Sequence, residues 1–317
     1  MSGRWILSRL GPLFGLIAVF LFFLIAIRTK TGLQLFATPG NLQTIALQSA
    51  IVGMAGLGMT LIILAGGIDL SMGSTVALTS VTVAALMTFL GMPAIPAACA
   101  AVGVGALCGL ANGVLITQLK VPPFIVTLGT MLIFRGAAKQ VADERTVNPH
   151  PNILNSLLDM GSVLPAGVWM LAILAAAVAV GLHYTRFGRH LYAVGSNEAA
   201  ARLCGVPVVR TKILVYTLGG GFAGLAGLLQ YSRLAMGAPT AAPGLELDAI
   251  TAVVIGGASL AGGEGFILGT LIGALYMPTI RNGCSLMGWK NLVTEIVAGV
   301  IIIVAVAFDR LRHRRGL

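Results

Sequence analysis

Between Leu10 and Ile27 the sequence carries no charged residue, and the stretch closes on Arg28-Thr29-Lys30. Uncharged apolar runs of similar length recur along the chain, and they decide what it can fold into. About 20 apolar residues wound as a helix match the ~30 Å hydrocarbon core of a bilayer. Charged residues make up 9% of the 317 positions and hydrophobic ones 57%, whereas soluble domains carry roughly 25% charged residues. Such a chain lacks the polar surface to stay dissolved. The runs are continuous rather than alternating in segments of about ten, which excludes an outer-membrane barrel. The sequence therefore predicts an all-α, polytopic transmembrane helix bundle forming one domain over 1–317. Too little chain remains between the runs for a separate soluble catalytic domain.

Ten spans are expected, beginning with Leu10 to Ile27, Asn41 to Leu64, Met72 to Leu90, Ala94 to Leu119 and Pro122 to Val141. The others are Gly167 to His183, Val209 to Leu234, Leu247 to Leu260, Phe266 to Ile280 and Asn291 to Phe308. The eighth and ninth are short and interrupted by glycine. A cleaved signal peptide is not expected, because the first run is long enough to span and lacks a small-residue cleavage pattern. The net charge of +10 reads as topology rather than nucleic-acid binding, since basic residues sit at the ends of apolar runs. Twelve of the 20 Lys and Arg residues fall on one side of a ten-span arrangement, including the clusters Arg4 with Arg9 and Arg310 with Arg312, Arg314 and Arg315. That side is expected to be the cytoplasm, holding both termini and the loop over 184–208.

Gly105, Gly109 and Gly113 repeat every fourth residue, as do Gly220 with Gly224 and Gly269 with Gly273. In lipid such stripes allow close backbone approach between helices. Cys99, Cys108, Cys204 and Cys284 form no metal-ligand spacing and read as small packing residues. No metal site and no catalytic residue is expected. There is no G-x-x-x-x-G-K-[ST] phosphate loop, no H-E-x-x-H and no G-x-S-x-G.

Two segments break the apolar pattern, Ala65 to Ser74 and Gly256 to Gly265, each with paired glycines and one carboxylate. Irregular backbone survives in a membrane where it lines a cavity, so both are candidates for a translocation path. Tight interfacial turns are the plainer reading, with Asp69 capping the third span. Candidate path residues are Asp69, Ser71, Asn112, Thr127 and Ser259. A sugar path wants hydroxyl and amide groups with few fixed charges, and no charge pair is evident among the intramembrane polar groups. The loop from Val194 to Pro207 carries a short helix: Ser196 can cap it, Glu198 and Arg202 are spaced as an i,i+4 pair, and Gly205 with Pro207 ends it. A short helix outside the membrane, flanked by bases, reads as a docking element for another subunit. Its candidate contacts are Asn197, Glu198, Ala199, Ala200, Arg202 and Gly205.

Over nearly its whole length the chain resembles the ribose-type permeases of bacterial ABC sugar importers. The resemblance is carried by Gly66-Gly67-Ile68-Asp69-Leu70-Ser71 with Gly73-Ser74, and by Asn112-Gly113 followed by Pro122 to Gly129. Arg135-Gly136, Gly188, Gly195-Ser196-Asn197 with Ala199-Ala200, Glu246 to Ile250, Gly256-Gly257 and Gly262-Gly263 continue it. The resemblance implies a permease subunit of the bacterial cytoplasmic (inner) membrane, moving a pentose or hexose inward by alternating access. It implies three partners: a second permease copy or paralogue, a cytoplasmic ATP-binding cassette subunit and an extracytoplasmic sugar-binding protein. ATP and Mg would then sit on the partner ATPase, with no cofactor on this chain, and the helix at Asn197 to Gly205 would be the coupling element. An ion-coupled secondary transporter with Asp69 as carrier is the competing transport reading. A structural or assembly membrane protein without transport is the third.

Overall fold

The computed structural model describes residues 3–303 apart from positions 33, 160, 162, 163, 291, 298 and 302. Eleven α-helices are described: α1 (Gly3–Thr31), α2 (Pro39–Leu64), α3 (Met72–Leu90), α4 (Ala94–Leu119), α5 (Pro123–Val141), α6 (Ala166–Tyr184), α7 (Arg186–Ser196), α8 (Glu198–Leu203), α9 (Val208–Leu234), α10 (Leu245–Ile255) and α11 (Ile267–Leu286). Local sequence sets their ends. Thr38 accepts from the Asn41 N–H with Pro39 opening α2, and Pro122 and Pro123 open α5. Gly91 in the left-handed region closes α3 just before Pro93.

Among the described residues seven helices are long and apolar enough to cross a membrane, and they coincide with the first seven expected spans. The eighth expected span differs. α10 has 11 residues, about 16 Å of helix at 1.5 Å each, or half of a ~30 Å core. Gly256-Gly257 ends it before Leu260 is reached, because Gly257 turns left-handed at φ 93°. α11 runs beyond the expected Ile280 and takes in Arg281 and Asn282. The tenth expected span, Asn291 to Phe308, lies partly outside the described residues, within which Leu292–Ile301 is apolar and helical. The side chains of Arg4 and Arg9, and residues 310 to 315, also lie outside them.

α2 is the central pillar, buried along nearly its whole length, while α1, α5 and α6 turn Phe14, Phe22, Leu132, Ile133 and Ile173 outward. The glycine stripes meet one another. α4 runs antiparallel to α9, with Gly105 against Gly220 and Gly224, Gly109 against Tyr216 and Gly220, and Gly113 against Ile213 and Tyr216. A Cβ at Gly105 would stand 2.5 Å from the Gly220 carbonyl oxygen, closer than any side chain can approach. Gly58 of α2 meets Gly219 in the same way, and Ala252 of α10 and Gly256 just after it meet Gly273 and Gly269 of α11. The sequence long helix, break, shorter helix, long helix thus occurs twice, as α2–α3–α4 and α9–α10–α11, with α2 and α9 antiparallel. The shorter helices are exchanged: α3 packs along α9, and α10 packs along α2.

Gly109→Leu should separate α4 from α9, since the obstruction is backbone and cannot swing aside. The expected destabilisation lies at the upper end of the ~1–3 kcal/mol of overpacking, read as lower thermal stability in detergent. Gly129→Leu on α5, where a Cβ meets nothing within 4 Å, should leave stability unchanged.

Candidate functional site

Ile68 to Ser71 is non-helical backbone between α2 and α3, held by its own side chains and by two further helices, α4 and α5. Asp69 Oδ1 accepts from the Ser71 N–H (2.8 Å) and the Ser71 hydroxyl (2.6 Å). From α4, the Asn112 amide donates to Ser71 Oγ (2.9 Å) and Asp69 Oδ2 (3.4 Å). From α5, the Thr127 hydroxyl accepts from the Leu70 N–H (3.1 Å) and donates to the Ile68 carbonyl (3.3 Å). Four of the five candidate path residues therefore form one cluster. Each is at most 3% exposed, so none lines an open passage in this conformation. Backbone polar groups away from water need partners, and the cluster supplies them to an irregular stretch inside the bundle. Asp69 acts two residues ahead, on Ser71, rather than as the expected cap: Ser71 is the N-cap residue of α3 and makes no side-chain cap bond. Ser259, the fifth, lies elsewhere, in the turn after α10, where its hydroxyl accepts from the Ala261 N–H at 3.2 Å.

The two glycine-rich breaks come together at a junction behind α7. The Gly263 N–H donates to the Leu64 carbonyl at the end of α2 (3.0 Å), and the Tyr192 hydroxyl of α7 donates to the Gly265 carbonyl (2.9 Å). A Cβ at Gly262 would stand 2.8 Å from the Gly195 carbonyl oxygen and 2.9 Å from the Gly66 Cα. Gly66, Gly262 and Gly263 all have positive φ, at 77°, 89° and 74°, which glycine adopts without strain. The end of α2, the end of α7 and the turn after α10 are thus in backbone contact.

α7 buries Gly188, Leu191 and Val194 and leaves Arg186 and Arg189 exposed, as an amphipathic helix at a boundary does. α8 follows after one residue, and Asn197 rather than Ser196 caps it, accepting from the Ala200 N–H at 2.9 Å. Ser196 is the last residue of α7. Glu198 pairs with Arg202 at 3.1 Å, as the spacing predicts, and also with Lys212 at the start of α9. Ala201 packs with Val194 and Val208. Ala199, Ala200, Arg202, Leu203 and Gly205 face outward, with Leu203 90% exposed. A large apolar side chain that open, on a six-residue helix, was a signal available in the sequence and not singled out there. Leu203 is the most exposed large apolar side chain among the described residues, and Arg202 and Arg210 are exposed as well.

A charge pair within the bundle, not evident from sequence, joins Arg281 of α11 to Asp248 of α10 at 2.9 Å. Arg135 of α5 donates instead to the Pro239 (3.1 Å) and Ala241 (2.7 Å) carbonyls of the segment leading down to α10. Among the described residues no three His, Cys, Asp or Glu side chains converge as a metal site. Cys108 and Cys284 are buried as packing residues, while Cys99 and Cys204 are exposed.

A polytopic bundle with broken helices inside the membrane and a short helix presented outside it has the architecture of a transport permease. The family described as branched-chain amino acid transport system / permease component matches residues 41–306, and the chain belongs to it. The chain is 42% identical over 283 residues to the ribose import permease protein RbsC of Escherichia coli strain K12, covering 88% of each chain. Its identity to RbsC of Bacillus subtilis strain 168 is 40% over 310 residues, 96% of this chain and 94% of that one. With the fructose import permease protein FrcC of Rhizobium meliloti it shares 38% over 284 residues, 87% of this chain and 79% of the other. No solved structure matches.

Asn112→Leu should lower thermal stability by about 1–3 kcal/mol, because it removes a donor from a buried carboxylate and from Ser71. Unfolding of the purified chain followed by tryptophan fluorescence checks this, with Thr117→Val, which removes only a bond within α4, as a nearly neutral control.

Proposed function

We propose that this chain is the membrane subunit of an ATP-driven importer for a monosaccharide, a pentose or a hexose, in a bacterial cytoplasmic membrane. The observation that carries the reading is the exposed face of α8 backed by the glycine junction. α8 follows the end of α7 after one residue, and there Gly195 and Ser196 meet Leu64 at the head of the first break and Gly262 and Gly263 in the second. ATP would be hydrolysed on a cassette subunit seated on Ala199, Ala200, Arg202 and Leu203, and a sugar-binding protein would deliver the substrate on the opposite side. The relatives named above, ribose and fructose import permeases, support the substrate class.

In this reading the chain crosses the membrane ten times. One of the crossings, that through α10, is completed by non-helical backbone. The directions of packing agree with such a path, since α1 lies parallel to α11, with Gly15 near Tyr276 and Phe23 against Gly283. Both termini then share the cytoplasmic side with α8. A pair of permeases would rock about the shared path as the cassettes close. The Asp69 cluster acts as the fixed point of the break, its carboxylate hydrogen-bonded to Ser71 and Asn112.

Glu198→Arg places a base where Arg202 and Lys212 already lie, and Leu203→Asp removes the apolar contact. Each should reduce co-purification of the cassette subunit and ATP-dependent uptake by more than about tenfold, or ~1.4 kcal/mol. The yield of the chain itself should not change, because exposed ion pairs contribute only ~0.2–1 kcal/mol. Full uptake with the cassette still bound would overturn the docking assignment. Uptake that survives ATP depletion and collapses with the proton gradient would replace the importer by an ion-coupled carrier.

A further inference from the structure

In the half of the bundle remote from α8, four helices turn hydrogen-bonding side chains toward one cavity of about 210 Å³. Gln48 comes from α2, Gln230 and Arg233 from α9, Asp248 from α10 and Arg281 from α11. Asp248 is 6% exposed and engaged with Arg281. Gln48, Gln230 and Arg233 make no side-chain hydrogen bond within the described residues. Polar side chains are costly in a lipid-embedded bundle and are placed there for a reason. Three of them facing a cavity without a protein partner call for a partner from outside.

The cavity exists because α10 is half-length. Ala242 and Pro243, which precede it, are irregular backbone on the cavity wall, and in a membrane such backbone is tolerated where it lines a space. The chemistry of the wall is specific. Two planar amides each offer donors and an acceptor, and the ion pair adds a guanidinium fork and a carboxylate. An apolar solute would leave all of these unpaired, at a cost for each. A neutral ring bearing several hydroxyls satisfies donors and acceptors together. The volume lies below the ~300–1,000 Å³ of sites for drug-sized ligands, which limits the occupant to a single ring.

We propose that this cavity is a binding site for one neutral monosaccharide within a single permease chain, with Gln48, Gln230 and the Asp248–Arg281 pair hydrogen-bonding its hydroxyls and Arg233 at the mouth. The proposal rests on the importer reading and adds to it a place where the sugar stops inside the membrane subunit.

The test uses the assembled importer in proteoliposomes, with D-ribose, L-arabinose, D-fructose, D-xylose and D-galactose as probes. ATP-dependent uptake of each sugar by the wild type is measured first. If none is taken up, the importer reading falls and the site falls with it. Gln230→Cys is then labelled with a small methanethiosulfonate, against the background of the native cysteines. The transported sugar should slow labelling about tenfold at ten times its Kd, and should not slow it at Phe89→Cys on the outward face of α3. Uptake of a sugar that leaves Gln230→Cys unprotected overturns the site while the importer reading stands. In parallel, Gln48→Leu combined with Gln230→Leu should cut uptake about tenfold, equivalent to ~1.4 kcal/mol, with the assembled importer recovered in wild-type yield. Wild-type uptake by that double variant also overturns the proposal.

Discussion

Lipid supplies no hydrophobic force to press one helix on another, so the bundle is held where backbones can touch. The contact between α4 and α9 is the case on which the rest depends. Gly105, Gly109 and Gly113 lie directly on Tyr216, Gly220 and Gly224, and dispersion between many closely spaced atoms takes the place of burial from water. The same contact sets depth. Asn112 stands next to Gly113, so the fit of Gly113 against Ile213 and Tyr216 decides where the Asn112 amide meets Ser71 and Asp69. α9 in turn fixes α2 through Gly58 and Gly219, and α3 through Gly227, whose Cβ would meet the Thr79 side chain and the Val76 carbonyl.

Polar chemistry inside the bundle follows from the breaks rather than from the helices. A helix satisfies its own backbone, so most of its membrane length needs nothing but apolar side chains. Where the backbone leaves α2 and has yet to enter α3, Asp69, Ser71, Asn112 and Thr127 gather. Where α9 gives way to α10, Arg135 ties down the Pro239 and Ala241 carbonyls, and Asp248 finds Arg281. The two sites lie toward opposite ends of an internally inverted arrangement, one closed around its own backbone and one open on a cavity.

The seven long helices were legible in the sequence because length and hydropathy are additive along a chain. α10 was not, because hydropathy averages composition over Leu247 to Leu260 and does not register that Gly256-Gly257 stops the helix. The glycine stripes were readable as stripes, yet that the stripe of α4 meets that of α9 depends on contacts between residues over a hundred positions apart. The four clustered path candidates were each visible as polar interruptions, and their mutual bonding was not. Asp248 and Arg281 escaped notice as a pair because each sits at the edge of a different apolar run. Gln48 and Gln230 are ordinary amides in sequence and gain meaning only from the cavity they share. At α8 the capping residue moved by one position, from Ser196 to Asn197, since both types cap well and only the path of α7 decides between them.

The exchanged packing of α3 and α10 also sets an order in time. α2 is the most enclosed helix, and it leaves the ribosome among the first. The helix it packs against, α9, begins at Val208, more than a hundred residues later. At ~5–20 residues per second the wait is on the order of 7–30 s. During that interval Asp69, Ser71 and the glycine face of α4 stand in or beside lipid without the neighbour that completes the core. The chain must therefore be sheltered at its insertion site until its second half arrives, and its maturation in the membrane is timed by its own translation.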